Sequence, residues 1–451
     1  MNNFFKVFHR SSKTKARLGE ITTVHGVVKT PAFVAVGTKG TIKALTPQLV
    51  KNVGTQLAFV NTYHLVTHPG VEIIEKAGGI HNYSKLGIPL MSDSGGFQIF
   101  SLARTGRDSA TQIFQKTNKT EKFAFTSSQN QTRSADVRGE ENPILVKISD
   151  DGVKFRSTFD GELVEFTPEK SMEFQRKIGA DINMAFDECT YYPATYEYAE
   201  KAMERTHEWL MRCIKYKASS QNFLQTKKAR DRKFFDGKHQ TAKNLVPSLL
   251  TNQQYLYGII QGGTFEDLRK KSAEFVVAQN TPGVAVGGLA VGESKAEIRD
   301  QVRWIADYLP EDRPVHLLGV GQFDDIIDLV KHGIDTFDCV EPTRLARMGT
   351  IYQLGKVRRQ NFLTENHKPQ KISASPFDYE LDITKTVYKN NLEKVDEDCN
   401  CYVCENFTKS YLHHLFKQRE ILGYTLATYH NLWVMERFFD KIREMILNSE
   451  L

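Results

Sequence analysis

Cys399, Cys401 and Cys404 form a C-x-C-x2-C run, and His430 follows after 25 residues. Three thiolates and an imidazole make a closed tetrahedral set suited to structural zinc, because no position stays open for a reacting water. His413 and His414 lie nearer in sequence and compete for the fourth place. They fall mid-helix in SYLHHLF, where packing or solvent is the commoner fate, and spacing alone leaves the choice open. Six cysteines in a chain of this size are not a disulfide framework. Three of them within six residues are metal spacing.

A second set carries carboxylates and amides. In DSGGFQ, Asp93 ends an apolar run, Ser94 can donate a hydrogen bond, Gly95 and Gly96 let a planar ligand approach the backbone, and Phe97 offers a stacking face. FDEC at 186–189, IIQGG at 259–263 and VGGLAVG at 286–292 add Asp187, Gln261 and accessible backbone groups around Gly288. That mixture suits a purine-like edge, whose donors meet a carboxylate and whose exocyclic oxygen meets an amide or a backbone N–H. FDCVEPTRLAR at 337–347 presents Asp338 and then Arg344 and Arg347, a pattern suited to phosphates or base edges. GVG at 319–321 precedes a helix starting near Gln322, and helix N-termini bind phosphate through free N–H groups.

These groups need a frame. Short apolar runs recur at 32–37, 57–61, 89–93, 182–187, 256–261, 284–288, 316–321 and 334–338, and helical stretches are clearest at 264–278, 294–309 and 322–332. Strand alternating with helix implies parallel strands joined by helical crossovers. About eight such units favour a (β/α)8 TIM barrel of the α/β class, whose strands end at the active-site face. The rim then collects Asp93, Asp187, Gln261, Gly288, Gly319 and Asp338. Residues 1–30 read as short strands capping the floor. Residues 104–148 and 215–254 read as surface insertions. The expected division is a barrel over 1–350 and a zinc-binding subdomain over 351–451, with helices near 407–422 and 431–447.

The 451 residues are 25% charged, 40% hydrophobic and 11% aromatic, which excludes a mainly disordered chain. No apolar run approaches the roughly 20 residues that span a bilayer, and MNNFFKVFHRSSKTK lacks the apolar stretch of a secretory signal. A cytoplasmic protein is the expectation. The net charge is +6, and 215–244 alone carry nine Lys/Arg against Asp231 and Asp236. That run is a solvated insertion or a phosphate-contacting patch.

DSGGFQ, MAFDEC, IIQGG, GGLAVGE, LLGVG, TFDCVEPTRLAR and the cysteine–histidine set, in this order, resemble the tRNA-guanine transglycosylase (queuine tRNA-ribosyltransferase) family over roughly 15–105 and 150–445. The resemblance implies a pentosyltransferase that exchanges the wobble guanine of tRNAs with GUN anticodons for a 7-deazaguanine, through a covalent enzyme–tRNA intermediate and with net retention. It implies Asp338 as the nucleophile at the ribose anomeric carbon and Asp93 as the proton-handling group. Asp335 is a rival nucleophile. Asp187, Gln261, Gly288 and Leu289 would read the base on which Phe97 stacks, within a pocket that also takes in Ser94, Gly95, Gly96 and Cys189. The anticodon loop would meet Gly319, Val320, Gly321, Gln322, Phe323, Asp324 and Asp325, and Thr343, Arg344, Leu345, Ala346 and Arg347. Val291 and Cys189 match the bacterial pattern, which uses 7-aminomethyl-7-deazaguanine (preQ1) rather than queuine. One structural Zn2+ per chain and a homodimer follow from the same resemblance. Competing readings are a non-catalytic tRNA-binding partner, which lacks the nucleophile, and a glycoside hydrolase, which leaves the arginine pair and the zinc set without a purpose.

Overall fold

The computed structural model describes residues 4–97, 144–157, 160–234, 253–359 and 379–451. The strands Ala32–Val36, Leu57–Val60, Leu90–Ser92, Ile182–Met184, Tyr255–Ile260, Gly283–Val286, Val315–Leu317 and Thr336–Cys339 close into one barrel in chain order. All the ladders are parallel, so each connection must return outside the sheet, and helices fill that layer. The strands fall on the eight apolar runs read from sequence. Glu266–Ala278, Lys295–Ile305 and Phe323–Val330 are the three expected helices.

Alternation along the strands sorts residues into two layers. Phe33, Ala35, Ala58, Val60, Val284, Val286, Val315, Leu317 and Phe337 face the helices in the outer core. Val34, Leu57, Phe59, Met91, Ile182, Met184, Ile259 and Ala285 fill the barrel interior. By the same alternation His316, Thr336 and Asp338 belong to the inward set. His316 pairs in register with Ala285 and Thr336, and Asp338 with Val34. The barrel interior thus mixes these polar groups with apolar neighbours.

The expected floor is an antiparallel sheet of Phe5–Arg10, Arg17–Thr23 and Gly26–Thr30. Phe4, Ile21 and Val28 plug the interior, with the Phe4 ring stacked 3.7 Å from Tyr255. Arg17 locks this sheet to the barrel through both oxygens of buried Asp335, at 2.9 and 2.6 Å. His25, His81 and Asp181 form a second clasp at the floor. Their ligand atoms lie within 4.8 Å of one another, but the two imidazoles stack 3.4 Å apart at 10°. The in-plane lone pairs of stacked rings do not converge on one ion. Burial opposes ionisation of Asp181, and hydrogen bonds from His25 and His81 outweigh it and hold the carboxyl at about 2.

Three element boundaries differ from the sequence reading. Residues 144–166, partly assigned to the first insertion, form a three-stranded antiparallel sheet of Ile144–Ser149, Gly152–Arg156 and Leu163–Phe166. The second insertion begins inside the helix Tyr196–Phe234. The remainder of both insertions, 104–143 and 235–252, lies outside the described residues. The C-terminal helices are Lys409–Lys417 and Ile421–Leu447, so the last helix starts well before 431. Gly423, Thr425 and Thr428 lower local helix propensity. Burial of Leu426, Ala427, Leu432 and Val434 overrides it. The Phe439 ring of this helix lies 6.3 Å from Phe33 and 6.0 Å from Phe337. The last helix therefore shares the barrel's outer core.

Candidate active site and metal centre

Asp338 sits in the last barrel strand, half-buried and turned inward. Its Oδ1 accepts from the Gly319 backbone N–H at 3.1 Å and lies 3.2 Å from His316 Nε2. Asp335, the rival nucleophile, is at the opposite end of this strand. Its two oxygens are taken by Arg17, and one also accepts from Val315 N–H at 2.8 Å. A fully buried carboxylate clamped in this way has no route to a substrate.

Asp93 follows the third strand. Its carboxylate accepts from the Asn61 side-chain amide and from the Thr62 N–H at 2.6 Å. Thr62 Oγ1 returns a bond to the Asp93 carbonyl at 2.6 Å. Asn61 is also the N-cap of the next helix, Thr62–Thr67. A helix start and a rim carboxylate therefore hold each other.

Ser94, Asp187, Gln261 and Gly288 are brought together. Ser94 Oγ donates to Asp187 Oδ1 at 3.0 Å, and Gln261 Nε2 donates to Asp187 Oδ2 at 2.7 Å. Gln261 Oε1 is buried and has no hydrogen-bond partner among the described residues. A buried acceptor left in this state awaits a donor. Burial raises the Asp187 carboxyl to about 6, against the pull of the two hydrogen bonds. Two glycines have steric reasons. A Cβ on Gly96 would sit 2.7 Å from the Asp187 carbonyl, and one on Gly288, where φ is +65°, would sit 2.2 Å from Gln261 Oε1. Leu289 and Cys189 are buried beside this group, whereas Phe97 is 43% exposed.

One organiser went unseen in the sequence. Arg269 is fully buried, and its guanidinium bonds the carbonyls of Gly263 at 2.7 Å, Gly287 at 2.6 Å and Gly288 at 2.9 Å. It ties the loop after the fifth strand to the loop after the sixth. Burial lowers it to about 10, so it stays charged near neutral pH. Its only signal was an arginine among the inward positions of an amphipathic helix. His316 was likewise embedded in the apolar run PVHLL; strand alternation was the signal that it faces inward.

The expected RNA-contacting segments are only partly on the surface. Gly319 and Arg344 are exposed, and Gln322, Asp324, Leu345 and Arg347 are half-buried. Val320, Gly321, Phe323, Asp325, Thr343 and Ala346 are buried. Phe323 packs on Tyr352, Tyr379 and Phe438, and Asp325 bonds Arg299 at 2.8 Å. Phe323 and Asp325 lie on the inward face of the helix Phe323–Val330, and Thr343 and Ala346 on that of Glu341–Met348, as expected of amphipathic helices. Asp324 and Asp325 also occupy the first turn of this helix, engaged by Lys295 and Arg299. The helix start already holds its own anions.

Cys399, Cys401, Cys404 and His430 are all buried, with their ligand atoms within 4.8 Å of one another. His430 Nδ1 lies 3.9, 3.4 and 3.3 Å from the three sulfurs in chain order. Its Nε2 bonds the Tyr352 carbonyl at 2.7 Å, which leaves Nδ1 as the ligand atom. The group can hold a metal ion. His413 instead bonds the Ile383 carbonyl at 2.8 Å, and His414 is exposed, so neither is the fourth ligand.

The family model described as queuine tRNA-ribosyltransferase matches residues 11–132 and 109–451. A queuine tRNA-ribosyltransferase of Caldanaerobacter subterraneus is 39% identical over 99% of this chain and 94% of its own length. Those of Halothermothrix orenii and Synechococcus elongatus are each 37% identical, over 100% and 99% of this chain and 95% and 91% of their own. With matches that span the barrel, its rim and the cysteine cluster alike, the chain belongs to the tRNA-guanine transglycosylase family, the queuine tRNA-ribosyltransferases.

Proposed function

We propose that this protein exchanges the wobble guanine of GUN-anticodon tRNAs for preQ1 by double displacement. The supporting observation is the array in which Ser94 and Gln261 hold the Asp187 carboxylate, on loops that converge near Asp338. A Cβ placed on Gly319, whose N–H bonds Asp338, would lie 3.8 Å from that of Ala290 on the Gly288 loop. Base reader and nucleophile thus share one rim.

In the first step an Asp338 oxygen bonds to C1′ as the glycosidic bond breaks, and the departing guanine takes a proton from Asp93. In the second, the incoming base returns a proton to Asp93, and its nitrogen displaces the Asp338 carboxylate. Asp187 accepts from the base's N–H donors, and Gln261 Nε2 offers its second N–H to the exocyclic oxygen. Arg344, which is exposed, would meet the RNA. The direct test is exchange of labelled guanine into tRNA, with and without preQ1. Absence of both reactions in metal-replete protein would sink the proposal.

Base recognition should depend on pH. Below about 6 the Asp187 carboxyl is protonated and loses acceptor capacity. The KM for the incoming base should therefore rise about tenfold per pH unit as pH falls below that value. Asp187→Asn should raise KM throughout and abolish the trend. A KM flat from pH 5 to 8 in the wild type would refute this role.

Substrate choice should turn on Val291, a half-buried residue whose N–H is held by Glu293 at 2.7 Å. Its methyls narrow the space beyond the base's 7-substituent. Queuine's larger ring should be disfavoured by about 1–3 kcal/mol, roughly 5- to 150-fold. Val291→Gly should improve queuine use more than it changes preQ1 use, in competition against labelled guanine. Equal use of both bases by the wild type would remove the reason for preferring preQ1.

The metal is proposed to be zinc. A tetrahedral zinc with Zn–S near 2.3 Å and Zn–N near 2.0 Å sets its ligand atoms about 3.5–3.8 Å apart. The 3.3–3.9 Å spacings between His430 and the sulfurs fit that shell. The four protein ligands fill the coordination shell, so its role is to hold the C-terminal unit together.

A further inference from the structure

We propose that His316 is a positioning residue for the reacting carboxylate, holding it through an Nε2–H hydrogen bond; this rests on the reading of Asp338 as nucleophile. His316 is wholly buried in the barrel, on the strand beside Asp338. Its Nδ1 lies 2.9 Å from Thr336 Oγ1 and its Nε2 lies 3.2 Å from Asp338 Oδ1. Phe59 stacks on the ring at 5.8 Å. Ala285 lies beside it on the sixth strand. Among the described residues, Asp338 is the one charged group bonded to the imidazole.

The roles of the two nitrogens follow from their partners. A carboxylate oxygen only accepts, so Nε2 carries the proton and donates. In the neutral ring Nδ1 is then an acceptor, and the Thr336 hydroxyl donates to it. Thr336 and Asp338 stand two residues apart on one strand face, so a single strand sets the tautomer and receives its product. Oδ1 of Asp338 takes both the His316 and the Gly319 donors. That fixes the carboxylate's rotation and presents Oδ2 to the substrate.

The ester forms when guanine leaves and is consumed when the new base enters. Loss of the Nε2 donor should therefore slow both steps through the carboxylate's orientation. His316 bonds Asp338 and does not touch the base, so tRNA binding should be little affected.

The test uses full-length, metal-replete protein and tRNA carrying guanine at the wobble position. Guanine exchange, with kcat and the tRNA KM separated, and denaturant-stable adduct are followed. His316→Phe keeps a flat ring and removes the donor. It should lower kcat about 10- to 100-fold, the loss expected for one hydrogen bond to a charged group, with the tRNA KM within about twofold. His316→Gln retains an N–H donor and should recover part of kcat. Thr336→Val keeps shape and removes the hydroxyl that sets the tautomer, and it should lower kcat with the tRNA KM unchanged. A His316→Phe variant with wild-type kcat overturns the inference, as does a Gln variant no more active than the Phe variant. If the Phe variant does not fold, wild-type kcat in Thr336→Val overturns it. Exchange surviving in Asp338→Asn would instead overturn the nucleophile assignment. A dead Asp338→Asn beside a fully active His316→Phe removes only the role of His316.

Discussion

Asp338→Asn is expected to abolish the covalent enzyme–tRNA adduct and to lower guanine exchange by at least about 10³-fold, the scale seen when a nucleophile is removed. Asparagine has nearly the same shape. Its carbonyl oxygen can still accept from Gly319 N–H and His316, the two partners of Asp338 Oδ1. The variant should therefore fold, melt within about a degree of the wild type and bind tRNA. Asp335→Asn supplies the contrast. Asp335 pairs with Arg17 through both oxygens and is fully buried. Breaking one side of a buried pair typically costs about 3–5 kcal/mol. That variant should lose stability and retain the adduct in whatever fraction folds. An Asp338→Asn enzyme exchanging guanine at the wild-type rate would mean that the nucleophile lies elsewhere.

Cys401→Ala is expected to take bound zinc from about one per chain to near none and to lower the melting temperature by at least about 5 °C. All four ligands are buried, so losing the ion leaves thiols and an imidazole without their partner in a dry site. His430 lies on the helix Ile421–Leu447, and Tyr352, which fixes its ring, lies on the strand Thr350–Tyr352. The same helix packs on Phe33 and Phe337 of two barrel strands. Loosening the metal centre should therefore spread into the barrel wall. Metal analysis and thermal melting read this without reference to turnover. Freshly purified protein with no bound zinc, or a Cys401→Ala variant melting like the wild type, would remove the ion's proposed role.

The legible parts of this molecule were those set by local period. Eight apolar runs gave eight barrel strands, because burial on both sides of a parallel sheet leaves nearly continuous apolar stretches. The cysteine set was legible because three of its ligands fall within six residues. His430, named with them, is the histidine that joins the group, although spacing alone left His413 and His414 open. The helix from Ile421 was broken too late because Gly423 and the threonines weaken propensity, while packing against the barrel decides the outcome. Arg269 and His316 escaped because a charged or titratable group within an apolar pattern looks like a packing detail. Their importance lies in which carbonyls and carboxylates stand opposite, and those partners come from other strands. That six positions of 319–325 and 343–347 are buried was not legible, because a motif gives no account of which way each side chain turns.

The strand Thr336–Cys339 pairs with Ala32–Val36, the last barrel strand with the first. This seam bears on how the chain is made. As the protein leaves the ribosome, seven strands can associate while the seam is still open, with an unpaired strand edge on each side. Asp338 is absent from that intermediate, although Asp93, Asp187 and Gln261 have already been synthesised. On the mechanism proposed above, the nucleophile arrives with the segment that closes the ring. A chain halted before residue 336 would then carry the proposed base-reading residues without the group that attacks the ribose.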